Sequence, residues 1–354
     1  MPAYEPAISA YLARLYGESH RVFACRATTP AEVAAWARSA RPALRDLLGL
    51  TRMAAELAGF RPGVTLGPAE SVDGYTRQRG ILQAEPDWSV PFWFLRPQSG
   101  GPHPVALFPH GHYAANGLDF ACGLAASEED RRRIAEEDRD VAVQAVRRGF
   151  AALAPATRGF LPACVPDIAK RHGASNCRSH AMHALLAGRT AVAERLWDLQ
   201  RLLDWAVTAP GLDPSRVLMM GNSGGGTTTL YAAACDERIS VAVASCSFCP
   251  LASRDGHIHH CDCNAVPGIL RFGEFWDVAG LIAPRRLLVV HGRQDPLFPA
   301  REIERAVAEL RRIFDAAAAA AAPSLCHAWG EGGHRFYAAL MWPFVMESMG
   351  LRMV

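Results

Sequence analysis

Lysine is almost absent from this chain: Lys170 is the only one among 37 basic residues, and the remainder are arginine. Such a bias, alongside abundant alanine, reflects genome composition and carries no function. Excess charge is lacking too. The net charge is +2 at pH 7, which excludes a nucleic-acid or anionic-membrane partner recruited by bulk electrostatics. No run approaches the roughly 18 consecutive apolar residues of a membrane-spanning helix. The stretch Met1 to Ala7 has neither a basic n-region nor an apolar h-region, so the expectation is a cytoplasmic protein. Ten cysteines spread over 354 residues are too sparse for a disulfide scaffold and fit a reduced compartment. What remains is a half-hydrophobic chain, long enough for one large α/β domain with decorations.

Residues 1–62 read as a helical N-terminal extension. Ile8, Tyr11, Leu12 and Leu15 share a helical face, Thr29-Pro30-Ala31-Glu32 resembles a capped helix start running to Ala40, and Pro42 opens a further helix that stops at Gly49. The segment carries no motif, so it packs on the core or forms a homo-oligomer contact. Residues 63–354 read as the catalytic domain. Ser71 to Leu82 and Val90 to Leu95 are antiparallel edge strands, and Pro104 to Phe108 is a buried strand ending in the loop His110-Gly111-His112-Tyr113. A charged helix spans roughly Ser127 to Arg148, and Phe150 to Pro155 is the next strand. Strand, helix, strand implies a parallel sheet with right-handed crossovers. Two irregular excursions, at about 159–188 and 247–283, pass over the strand ends.

The most informative stretch is Arg216 to Thr227, in which an apolar strand breaks into Gly221-Asn222-Ser223-Gly224-Gly225 and resumes as a small-residue helix from Thr227 to Cys235. A serine on so sharp a turn needs neighbours without side chains, which Gly221 and Gly225 supply. Ser223 is the candidate nucleophile, and the backbone N–H of Gly224, at a helix N-terminus, is a candidate oxyanion donor. A serine hydroxyl needs a base, and the base needs an orienting carboxylate. Asp295 follows the strand Arg286 to Gly292, and His334 follows the strand Leu325 to Trp329, in the chain order Ser, Asp, His. Asp255, Asp262 and Asp277 are weaker acid candidates, because they sit in the second excursion and not at a strand end.

These motifs, with Asp204-Trp205, Asp236-Glu237-Arg238-Ile239, His260 to Gly268 and Leu281 to Arg285, resemble the α/β-hydrolase superfamily, in particular its dienelactone-hydrolase-like and acetyl-xylan-esterase-like branch. The resemblance spans roughly residues 30 to 345. It implies an α/β-hydrolase fold, with a mostly parallel central sheet and helices on both faces, and a serine esterase acting on a small-molecule ester without a cofactor. By the same resemblance the second oxyanion donor is the backbone N–H of His112. Alternatives on the same fold are a peptidase of the prolyl-oligopeptidase type, a C–C hydrolase, or a non-catalytic ligand binder. The lack of propeller repeats weighs against an oligopeptidase.

The run His257-Ile258-His259-His260-Cys261-Asp262-Cys263 invites a metal reading. Without a second pair at zinc-finger spacing, it reads instead as a structural segment of the pocket, and no metal is expected. Cys246 and Cys249 read as small buried hydrophobes.

Overall fold

The computed structural model describes residues 5–17, 20–98, 100–112, 117–161, 175–253, 256–318 and 324–352. Tyr113, the middle of the first excursion, Asp255 and part of the alanine run at 316–322 lie outside them. Among the described residues ten strands form one sheet: β1 (Gly63–Leu66), β2 (Glu70–Val72), β3 (Tyr75–Glu85), β4 (Trp88–Pro97), β5 (His103–Leu107), β6 (Ala151–Pro155), β7 (Leu212–Asn222), β8 (Val241–Ser245), β9 (Arg286–Gly292) and β10 (Leu325–Gly330). The order is β1-β3-β4-β6-β5-β7-β8-β9-β10, with β2 paired to β3. Strands β6 through β10 of that order run parallel, and β1, β3 and β4 join antiparallel at one end. Every residue of β5, β6 and β8 is buried. That is why they read as unbroken apolar runs, whereas β3 alternates from Arg79 to Ala84.

The helices are α1 (Glu5–Leu15), α2 (Pro30–Leu48), α3 (Leu50–Glu56), α4 (Gly117–Ala121), α5 (Glu128–Glu136), α6 (Val141–Val146), α7 (Asn176–Leu186), α8 (Ala191–Ala206), α9 (Gly224–Cys235), α10 (Ile269–Phe272), α11 (Phe275–Gly280), α12 (Ala300–Ala317) and α13 (Ala338–Ser348). Among the described residues, none is long and apolar enough to cross a membrane. Helix α2 starts on a capping box, in which Thr29 Oγ1 accepts from the Glu32 N–H and Glu32 Oε2 accepts from the Thr29 N–H. It ends at Gly49, where φ of 98° suits a residue without Cβ. Its stripe of Val33, Ala37, Ala40, Leu44 and Leu48 is buried in the same core as the sheet, while Ile8, Tyr11 and Leu15 of α1 are about half exposed.

Three elements differ from the sequence expectation. Pro42 lies inside α2 and does not start a new helix, because the buried stripe runs through it without a change of phase. The single helix expected over Ser127–Arg148 is two, parted at Asp138, whose φ is 54°. Its carboxylate accepts from the Ala338 N–H and from Arg335 Nη2, so the break caps α13. The first excursion contains α7, which faces the core with Ser179, His180, Ala181 and Ala184. A buried face of small and polar residues leaves no apolar period to read.

Beneath that excursion lies a buried ionic network. Arg158 donates from Nε to Asp198 Oδ2 at 2.9 Å and from Nη1 to Glu85 Oε1 at 2.6 Å, and Glu194 lies 3.8 Å away. Arg158→Ala would leave the buried Asp198 without its cation, while Glu85 and Glu194 would share Arg189. It is expected to lower unfolding free energy by about 3–5 kcal/mol in urea titration; a loss below about 1 kcal/mol would place the network in the solvent-screened class.

Candidate active site

The turn between β7 and α9 places Ser223 at φ 56° and ψ −127°, a left-handed backbone that a serine adopts at a cost of about 1–3 kcal/mol. Two contacts enforce it. The Ser223 N–H donates to Ser245 O at 2.9 Å, and its carbonyl accepts from the Thr227 N–H at 2.9 Å. Glycine is obligatory around it: a Cβ on Gly225 would lie 2.1 Å from Pro109 O, and one on Gly221 2.3 Å from the Gly225 carbonyl carbon. The helix therefore starts at Gly224 itself, three residues earlier than the small-residue run at Thr227 suggested.

The loop after β5 closes over this turn. A Cβ on Gly111 would approach Asn222 O to 2.7 Å and Ser223 Cβ to 3.1 Å. His110 fixes the peptide that follows: the Thr157 N–H donates to His110 Nε2 at 2.9 Å, so Nδ1 carries the proton and donates to Gly111 O at 2.9 Å. Burial pushes the His110 pKa down to about 4, which keeps this neutral tautomer in place. In a trans peptide the N–H of His112 points opposite the captured Gly111 carbonyl, so His110 orients the candidate oxyanion donor. The side chain of His112 has partners of its own. Its ring packs on Phe160 with centroids 4.1 Å apart, and Nε2 lies 3.1 Å from Cys263 Sγ.

Beyond β9 and β10, His334 Nδ1 and Asp295 Oδ2 are 2.7 Å apart. Burial of Asp295 opposes its ionisation, but the His334 hydrogen bond and the Leu297 N–H outweigh it and hold the carboxyl below its ordinary range. His334 Nε2 is buried and has no hydrogen-bond partner among the described residues. Ser223, Gly224, His112 and His334 line one cleft of about 470 Å³, with Arg139 and Glu137 on one wall and Phe298 on another. The other acid candidates among the described residues are engaged elsewhere. Asp262 pairs with Arg178 at the surface, and Asp277 accepts from the Cys25 and Glu274 N–H groups.

Two participants had no signal in the sequence. Cys246, at φ 46°, brings its Sγ within 4.8 Å of the Asp295 and His334 ligand atoms, and burial pushes its thiol up to about 12, so it meets Asp295 as a neutral group. Cys177, from the first turn of α7, joins His112, Cys261 and Cys263, all four ligand atoms lying within 4.8 Å of one another. Of the histidines in the linear cluster, His260 is instead buried with Nε2 2.9 Å from Cys249 O. The turn at Cys261 to Asn264 separates the cleft from a second cavity of about 630 Å³, which the chain lines with Tyr16, Leu251 and Ile269.

A parallel sheet carrying an elbow serine after β7, an acid after β9 and a histidine after β10 decides the architecture. This is the α/β-hydrolase fold. Residues 191–350, which span all three, match the model of the prolyl oligopeptidase family. A candidate hydrolase of Bacillus subtilis (strain 168), YtaP, is 26% identical over 234 residues, covering 64% of this chain and 72% of YtaP. Among solved structures, methylesterase BT1017 superposes with a TM-score of 0.68 at 22% identity, over 98% of this chain and 68% of its own. A candidate acetyl xylan esterase of Bacteroides fragilis NCTC 9343 gives 0.68 at 15% identity, over 99% and 91%. A glucuronoyl esterase from Solibacter usitatus gives 0.59 at 16% identity, over 82% and 86%.

Proposed function

We propose that this α/β-hydrolase-fold chain is a serine hydrolase that cleaves small or medium carboxylic esters through an acyl-enzyme. The observation that carries the reading is the shared cleft: the strained Ser223 opens onto the same space as His334, whose far nitrogen Asp295 orients. In the first step His334 Nε2 takes the Ser223 Oγ proton as Oγ attacks the ester carbonyl. The oxyanion that forms accepts from the backbone N–H groups of Gly224 and His112, each worth about 2.7–4 kcal/mol in the transition state. His334 returns the proton to the leaving alcohol, water then attacks the acyl-serine by the same route, and Asp295 stabilises the imidazolium in both halves.

The structural neighbours support an ester as the bond, since their names give a methylesterase, an acetyl xylan esterase and a glucuronoyl esterase. A peptidase reading is kept alive by the match to the prolyl oligopeptidase family. A panel of aryl esters of increasing acyl length, run beside a proline anilide, separates the two. Turnover of acetyl and butyryl esters with none of the anilide is the expected pattern; anilide cleavage exceeding ester cleavage would replace the esterase with a peptidase.

A further inference from the structure

Behind the oxyanion loop, four soft ligand atoms converge from three distant segments. His112 Nε2, Cys177 Sγ, Cys261 Sγ and Cys263 Sγ all lie within 4.8 Å of one another. The Cys177 and Cys261 sulfurs are 3.8 Å apart, and His112 Nε2 is 3.1 Å from Cys263 Sγ. A tetrahedral zinc with Zn–S near 2.3 Å and Zn–N near 2.0–2.1 Å spaces its ligand atoms by about 3.5–3.8 Å. A disulfide, by contrast, requires sulfurs about 2.05 Å apart. The set of three thiols and one imidazole is that of a structural zinc site.

The surroundings supply the matching charge. Three thiolates, a neutral imidazole and Zn²⁺ sum to one net negative charge, which a cation nearby would balance. Arg195 is buried there, and no ion pair joins it to a carboxylate among the described residues. Its Nη1 donates to Asn264 Oδ1 at 3.0 Å and to Cys263 O at 3.5 Å, and its buried Nη2 has no partner among the described residues. Its guanidinium lies 4.0 Å from the centre of the Phe160 ring, against which His112 also packs.

We propose that His112, Cys177, Cys261 and Cys263 bind one zinc ion in a closed, four-ligand structural site. With every position held by protein the ion has no open site for substrate, so its work is mechanical. It ties α7 and the Cys261–Asn264 turn, the thin wall between the two cavities, to the loop that carries the His112 N–H. The sequence alone pointed away from a metal, because Cys261 and Cys263 have no second ligand pair at zinc-finger spacing. Their partners stand 84 and 151 residues away.

The test is metal content, which does not depend on the esterase reading. Full-length protein expressed with added zinc and then desalted should carry about one zinc per chain by elemental analysis. Cys261→Ser/Cys263→Ser should carry less than about a tenth of that and melt at lower temperature, while Cys326→Ser, on β10, should retain the metal. If the double variant does not fold, cobalt(II) reconstitution of the wild type decides. The intense visible absorption of tetrahedral cobalt–thiolate is expected, and the weak absorption of octahedral cobalt would overturn the site. A zinc-free wild type, a double serine variant with full zinc, or a Cys177–Cys261 disulfide in peptide mass mapping would overturn it equally.

Discussion

Ser223→Ala should lower kcat on an aryl ester by roughly 10⁴-fold or more while leaving the melting temperature nearly unchanged. In the proposed mechanism the Oγ forms the bond that makes the acyl-enzyme, so no neighbour can substitute for it, and what survives comes from the oxyanion donors and binding alone. The backbone at this position is set by the Ser245 and Thr227 contacts and not by the hydroxyl, so the elbow persists without it. A companion variant separates chemistry from strain. Ser223→Gly should be as inactive as the alanine variant, yet gain up to about 1 kcal/mol in denaturant unfolding, because glycine adopts a positive φ without the Cβ clash. An active Ser223→Ala enzyme would move the nucleophile elsewhere.

Asp295→Asn should cost roughly 10³–10⁴ in kcat with the fold intact. Asp295 uses one oxygen for His334 Nδ1 and the other for the Leu297 N–H. Asparagine can keep only one carbonyl oxygen for those two donors, and its NH₂ group turned toward His334 would demand an unprotonated Nδ1. That puts the proton on Nε2, where it can no longer accept one from Ser223. Steady-state kinetics with a thermal melt on the same preparation checks both halves of the expectation. Near-normal turnover would send the search for the acid into the 247–283 excursion, where Asp262 is held by Arg178 and Asp277 by backbone N–H groups and Asp255 lies outside the described residues.

The parts of the molecule legible in the sequence are those written in local pattern. The capping box at Thr29 and Glu32, the continuous apolar runs of β5, β6 and β8, and the glycines flanking Ser223 each report a constraint that acts within a few residues. The chain order of Ser223, Asp295 and His334 follows from the strands that precede them. What stayed hidden depends on contacts between distant segments. Asp138 breaks a helix in order to cap α13, and α7 buries a face with no large apolar residue. The sequence pointed to the backbone N–H of His112, but packing also sets its side chain between Phe160 and Cys263. Cys246 read as filler and lies against the Asp295–His334 pair.

The central claim is that Ser223 becomes covalently acylated. Intact-mass analysis after treatment with a fluorophosphonate should give a single adduct per chain, peptide mapping should locate it on Ser223, and Ser223→Ala should give none. An adduct mapped to another residue, or an enzyme that hydrolyses esters while remaining unlabelled, would contradict it.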